Sequence, residues 1–94
     1  MTFSTLDIET LKEYLRLDGD DEDRILNLIL LACKSFVRGY TGLTDDKLDE
    51  LDDIPVVLLT LGAEMYDNRQ FTVDKDNINP VIKTILGMHS VNLI

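Results

Sequence analysis

Apolar residues recur at helical spacing in four stretches of this chain, and the longest of them, residues 20–40, organises the rest. Asp21-Glu22-Asp23 opens that stretch with acidic side chains, which suit the positive end of a helix dipole. From Arg24 to Tyr40 there is no Pro, and no Gly before Gly39, so a helix of four to five turns is predicted. At about 100° per residue Ile25, Leu28, Ile29, Ala32, Phe36 and Tyr40 fall on one stripe. Leu26, Leu30, Cys33 and Val37 widen it to an apolar arc of roughly 200°, about twice the width a surface helix needs. Arg24, Asn27, Lys34, Ser35 and Arg38 share the remaining strip, with Leu31 in its middle. A helix this apolar needs neighbours on more than one side, and in a short chain another subunit is a natural source of them.

The other elements follow from their start and stop signals. Ser4 or Thr5 is a good N-cap for a first helix to about Arg16, with Ile8, Leu11, Tyr14 and Leu15 facing inward. Leu17-Asp18-Gly19-Asp20 reads as a turn in which Gly19 takes positive φ, and Gly39 or Gly42 ends the long helix. Residues 44–51 are expected to make one or two helical turns, with Leu48 and Leu51 touching the core. Asp52-Asp53-Ile54-Pro55 then starts a third main helix, residues 56–69. Its apolar rows are Val57, Leu58, Leu61 and Met65, and Leu59, Ala63 and Tyr66. Gly62 inside it costs about 1 kcal/mol against Ala, which predicts the close approach of another backbone. Residues 70–78 read as an exposed loop, with Phe71 and Val73 alternating in a short extended segment. Asn79-Pro80 restarts a helix with Val81, Ile82, Ile85 and Leu86 on its apolar face, stopped at Gly87. The tail, residues 88–94, is apolar without a period. The predicted fold is a single all-α domain: a small helical bundle of three main helices plus a short C-terminal helix.

Composition narrows the function. Ninety-four residues make one domain, and a chain this size buries about 60–65% of its unfolded surface. No apolar run reaches the roughly 18 residues of a membrane span, and Met1-Thr2-Phe3 lacks the basic start of a secretory signal. The one cysteine, Cys33, lies on the apolar arc and reads as a buried reduced thiol, consistent with folding in cytoplasm. The net charge is −9, and eleven of the eighteen acidic residues lie in two segments, 18–23 and 45–53. Neither is a calcium loop. Counting from Asp18, the sixth position is Asp23 rather than Gly and the twelfth is Ile29 rather than Glu. Both segments precede helices and favour their N-termini. Binding to a nucleic-acid backbone needs clustered Lys and Arg, and the nine basic residues here are scattered.

Catalytic chemistry has no foothold in the pattern. There is no glycine-rich phosphate loop, no pair of Cys or His at ligand spacing, and no Ser-His-Asp set. The only histidine is His89, near the end of the chain. The reading is a protein without catalytic residues, cofactor or metal.

A resemblance carries the reading further. Leu11-Lys12-Glu13-Tyr14-Leu15-Arg16-Leu17-Asp18-Gly19-Asp20-Asp21-Glu22-Asp23, followed by an apolar helix ending in Tyr40-Thr41-Gly42, resembles the head–tail connector proteins of tailed bacteriophages and prophages, also described as DNA-packaging proteins. The Ile54-Pro55 helix start and Met65-Tyr66-Asp67-Asn68-Arg69 are similar to that family's third helix, where a Tyr-Glu-Asn-Arg-like ending is common. The likeness runs from residue 5 to residue 69.

The resemblance implies an adaptor in the virion neck, assembled in the bacterial host cytoplasm. Its members form a ring, often twelvefold, that docks beneath the portal protein, extends the DNA channel and offers a platform for stopper or tail-completion proteins. The residues expected to meet a neighbouring subunit or partner are Leu26, Leu30, Leu31, Val37, Tyr66 and Arg69. Tyr40 and Tyr66 also read as core or rim aromatics, and Arg69 as a cation at a helix C-terminus that pairs with an acid such as Asp67. DNA is expected to pass through without specific binding, because acidic subunits around a channel repel phosphate. The rival reading is an acidic regulatory or DNA-mimic protein that occupies the basic groove of a partner.

Overall fold

A computed structural model of the chain describes residues 1–68 and 78–90. Arg69, the loop expected at 70–77 with Phe71 and Val73, and the end of the tail at 91–94 lie outside the described residues. Within them the regular structure is helical, as the apolar spacing predicts. The helices are α1 (Ile8–Leu15), α2 (Asp23–Thr41), α3 (Asp45–Asp49), α4 (Ile54–Asp67) and α5 (Pro80–His89).

Helix α1 starts later than the Ser4 or Thr5 cap predicts. Asp7 is the N-cap, its Oδ1 accepting from Thr10 N at 3.2 Å. Ser4 and Thr5 belong instead to a turn in which Thr2 N donates to Thr5 Oγ1 and Leu6 N to Thr2 O. The reason is Phe3 and Leu6, both buried: the chain needs the turn to drive these two side chains into the core before the helix begins. Tyr14, expected inward, is 53% exposed, and the aliphatic stem of Lys12 takes its place in the packed layer. Arg16 closes α1 in the left-handed region at φ 59°, and Gly19 follows at φ 83° as the turn requires.

Helix α2 passes through Gly39 and ends at Gly42, whose φ of 71° lets its N–H reach Arg38 O at 2.9 Å. Its buried row is Leu26, Ile29, Leu30, Cys33, Val37 and Thr41. Leu28, on the predicted stripe, is 52% exposed. An arc of roughly 200° holds more apolar surface than one contact face, and tertiary packing chose its second row as the centre.

Helix α3 is capped by Thr44, and Leu48 and Leu51 reach the core as expected. Helix α4 starts at Ile54, with Pro55 in the first turn where no N–H is needed. Gly62 does mark a close approach, but of a side chain: a Cβ there would stand 3.1 Å from Leu11 Cδ1 and 3.8 Å from Ile29 Cγ2. Asn79 caps α5, its Oδ1 accepting from Val81 N at 2.8 Å. The helix runs through Gly87 to His89 rather than stopping at the glycine. His89 Nε2 lies 2.9 Å from both carboxylate oxygens of Asp53, which holds the last turn of α5 to the start of α4. At the other end Asn79 Nδ2 donates to Glu64 Oε1 at 2.9 Å.

Helices α2 and α4 form the central pair, and α1 and α5 each rest on both. Phe3, Leu6, Leu11, Leu48, Ile82 and Leu86 fill the spaces around that pair. Cys33 is buried among them with its Sγ 3.5 Å from Met65 Sδ, and burial pushes the thiol up to about 12.

Candidate assembly surface

The six residues expected at an interface separate into two groups. Leu26 and Val37 are fully buried and Leu30 is 7% exposed, all three within the single chain's own core. The expectation that they supply surface to a neighbour is therefore corrected: α1, α4 and α5 already cover that side of α2. Tyr66 is half-buried against the same core, and Arg69 lies outside the described residues. Leu31 alone stands out, 64% exposed.

Leu31 has company that the stripe assignment hid. Leu28, one helical turn away, is on the same outward strip, together with Arg24, Asn27 and Ser35. Together the two exposed leucines make a small apolar patch among polar residues. The sequence carries the signal, since an arc of roughly 200° cannot all point inward, but it does not say which row becomes the core. Other exposed large apolar side chains are Met1 ahead of the helices, Tyr14 on α1, Val56 on α4, and Val81 and Met88 on α5. On α5, Pro80, Val81, Thr84 and Ile85 also line an open apolar hollow of about 250 Å³.

The cations of this region hold the fold, which fixes what the outer strip presents. Lys34 Nζ donates to Leu6 O at 2.9 Å and lies 5.7 Å from the Phe3 ring. Its pKa is lowered, first by burial and then by the nearby Arg38. Arg38 lies 5.2 Å from the same ring and forks onto Asp45, Nε to Oδ1 at 2.7 Å and Nη2 to Oδ2 at 3.1 Å. That hydrogen bond raises Arg38 and holds Asp45 below its ordinary carboxylate value. Lys12 Nζ sits among Asp23 at 3.0 Å, Asp20 at 3.5 Å and Glu9 at 3.9 Å, and its pKa is raised by its hydrogen bond to Asp23. Part of the first acidic segment thus closes on a lysine of α1. Asp49 in the second accepts from Ser4 N at 2.7 Å.

Among the described residues no group of three or more His, Cys, Asp and Glu is placed to hold a metal ion, and no helix is long and apolar enough to cross a membrane. The chemistry on offer is shape, apolar area and charge. The sequence of residues 5–86 matches the model of the family described as phage gp6-like head-tail connector protein. The chain belongs to the phage gp6-like head-tail connector family. No curated protein and no solved structure matches it.

The connector family is structural rather than enzymatic, and it stands where the head of a tailed phage meets the tail. Its match extends well past residue 69, where the likeness read from the sequence ends, and takes in α5 as far as Leu86. The helix fastened by Asn79 and His89 is thus part of the connector's body. Residues matched by the family also include both central helices, and with them the outward strip around Leu31.

Proposed function

We propose that this connector assembles as a ring beneath the portal of a filled capsid, extends the DNA channel and presents a platform for stopper or tail-completion proteins. The family match over residues 5–86 carries this reading. Leu28 and Leu31 support it, because a face that leaves two leucines half or more exposed on the longest helix gains by being covered. Copies that meet through two different faces close into a ring when the rotation between them divides the circle. With a net charge of −9 on every subunit, such a ring repels DNA phosphate, and the genome passes without specific binding.

The proposal is tested by measuring the mass of the purified protein by light scattering, alone and with the portal protein. A ring-sized particle in either mixture is expected. A single copy at high concentration that also leaves the portal unbound overturns the proposal.

A further inference from the structure

The two central helices carry opposite charge. Residues 24–41, nearly all of α2, contain Arg24, Lys34 and Arg38 and no acidic residue. Residues 48–68, which contain α4, hold Asp49, Glu50, Asp52, Asp53, Glu64 and Asp67 and no Lys or Arg. In a chain of net charge −9, α2 is net positive.

Their outward faces differ in the same sense. Each helix turns its buried row toward the shared core, so the opposite side of each cylinder points away from it. On α2 that side is Arg24, Leu28, Leu31 and Ser35; on α4 it is Val56, Thr60, Ala63 and Asp67, with Asp52 just ahead of the first turn. Val56 is 54% exposed and Thr60 and Ala63 are half-buried, whereas Leu59 packs against the core. Both strips, from Arg24 to Ser35 and from Val56 to Asp67, are about 16 Å long. Arg24, Asp52 and Asp67 are all exposed. None has an ion partner among the described residues, whereas Lys34 and Arg38 are engaged inside the fold.

We infer that the outer face of α2 in one copy docks on the outer face of α4 in the next, leucines against Val56 and Ala63, with Arg24 meeting Asp52 or Asp67. This rests on the ring reading and names the faces that would make it. The pairing is of two unlike patches on opposite sides of the central helix pair, which is the disposition that propagates around a ring. Like-charged α2 faces would repel if two copies met symmetrically through them, and so would two α4 faces. The choice of end depends on direction: helices meeting in parallel bring Arg24 to Asp52, and antiparallel ones bring it to Asp67.

Cross-linking tests the pairing in the full chain. One preparation carries Leu28→Cys, a second Val56→Cys and a third Ala63→Cys, and the first is mixed with each of the others under mild oxidation, because Leu28 faces Val56 if the helices meet in parallel and Ala63 if they are antiparallel. Cys33 stays out of the reaction because it is buried and its thiol is pushed up to about 12. Disulfide-linked pairs are expected in one of the two mixtures and a ladder from the matching double variant, since a disulfide needs Cα atoms within about 7 Å. Self-linking of Leu28→Cys alone overturns the inference. Absence of any link while light scattering shows a ring also overturns it, and leaves the ring reading standing. A protein that stays single with and without the portal removes both. Arg24→Glu is expected to weaken assembly about twofold to fivefold. Either Asp52→Arg or Asp67→Arg added to that chain restores it, and the one that does reports the direction of the helices. Circular dichroism of each variant confirms that these positions leave the fold intact.

Discussion

Leu11 Cδ1 stands 3.1 Å from the point where a Cβ on Gly62 would sit, so α1 crosses α4 at the one place where α4 has no side chain. Substitution there sets two effects of similar size against each other. Ala improves helix propensity by about 1 kcal/mol. It also crowds a fully buried leucine, and overpacking costs about 1–3 kcal/mol. Gly62→Ala is therefore expected within about 1 kcal/mol of the parent in urea unfolding, while Gly62→Val falls by more than about 2 kcal/mol.

The N-terminal turn is the second point of leverage. Phe3 is fully buried beneath Lys34 and Arg38 although it precedes every helix. Phe3→Ala removes a core aromatic and is expected to cost about 3–5 kcal/mol, read from the urea midpoint. Arg38→Ala, by contrast, loses a half-exposed fork onto Asp45 and is expected to cost about 1 kcal/mol or less.

Leu30 and Leu31 are neighbours in sequence with opposite consequences. Leu31→Lys leaves the circular dichroism spectrum and unfolding midpoint unchanged and reduces assembly on a sizing column. Leu30→Lys buries a charge without a partner and is expected to unfold the chain, by more than about 3 kcal/mol. An unchanged oligomer with Leu31→Lys would count against its role at the interface.

Alkaline pH is expected to destabilise the fold in two stages. The Cys33 thiol is raised from 9.0 to about 12, so the unfolded chain ionises first and stability falls as pH climbs through that window. Lys12 is raised above 10.5 by Asp23, so its contribution, complete below that value, is lost above it. Lys34, lowered by burial, works in the opposite sense. Cys33→Ala, less stable at neutral pH, should show a flatter decline from pH 9 when unfolding midpoints are compared.

The polar clamps on α5 give a local prediction. Asp53→Ala removes the partner of His89 Nε2 without touching the buried Ile82 and Leu86. Amide exchange in the last turn of α5 is expected to quicken about fivefold, while α2 amides keep their protection, because a partly exposed hydrogen bond of this kind contributes about 1 kcal/mol.

Helix content, the Pro55 and Asn79-Pro80 starts and a stop at Gly39 or Gly42 were legible along the chain, because each depends on residues within a few positions; packing decided for Gly42. So was the connector likeness, carried by the order of short motifs around the turn at Gly19 and the end of α4. What no local pattern decides is which part of a wide apolar arc becomes interior. Leu26, Leu30 and Val37 looked like surface for a neighbour, but α1, α4 and α5 folded over them. Leu28 shares a stripe with the buried Ile29 and was left outside. The same holds for Phe3, whose burial depends on cations more than thirty positions away, and for Asp53, which reaches a histidine on the last helix. Spacing along a helix gives directions relative to its own axis. Only the packing of one helix against another says which direction is inward.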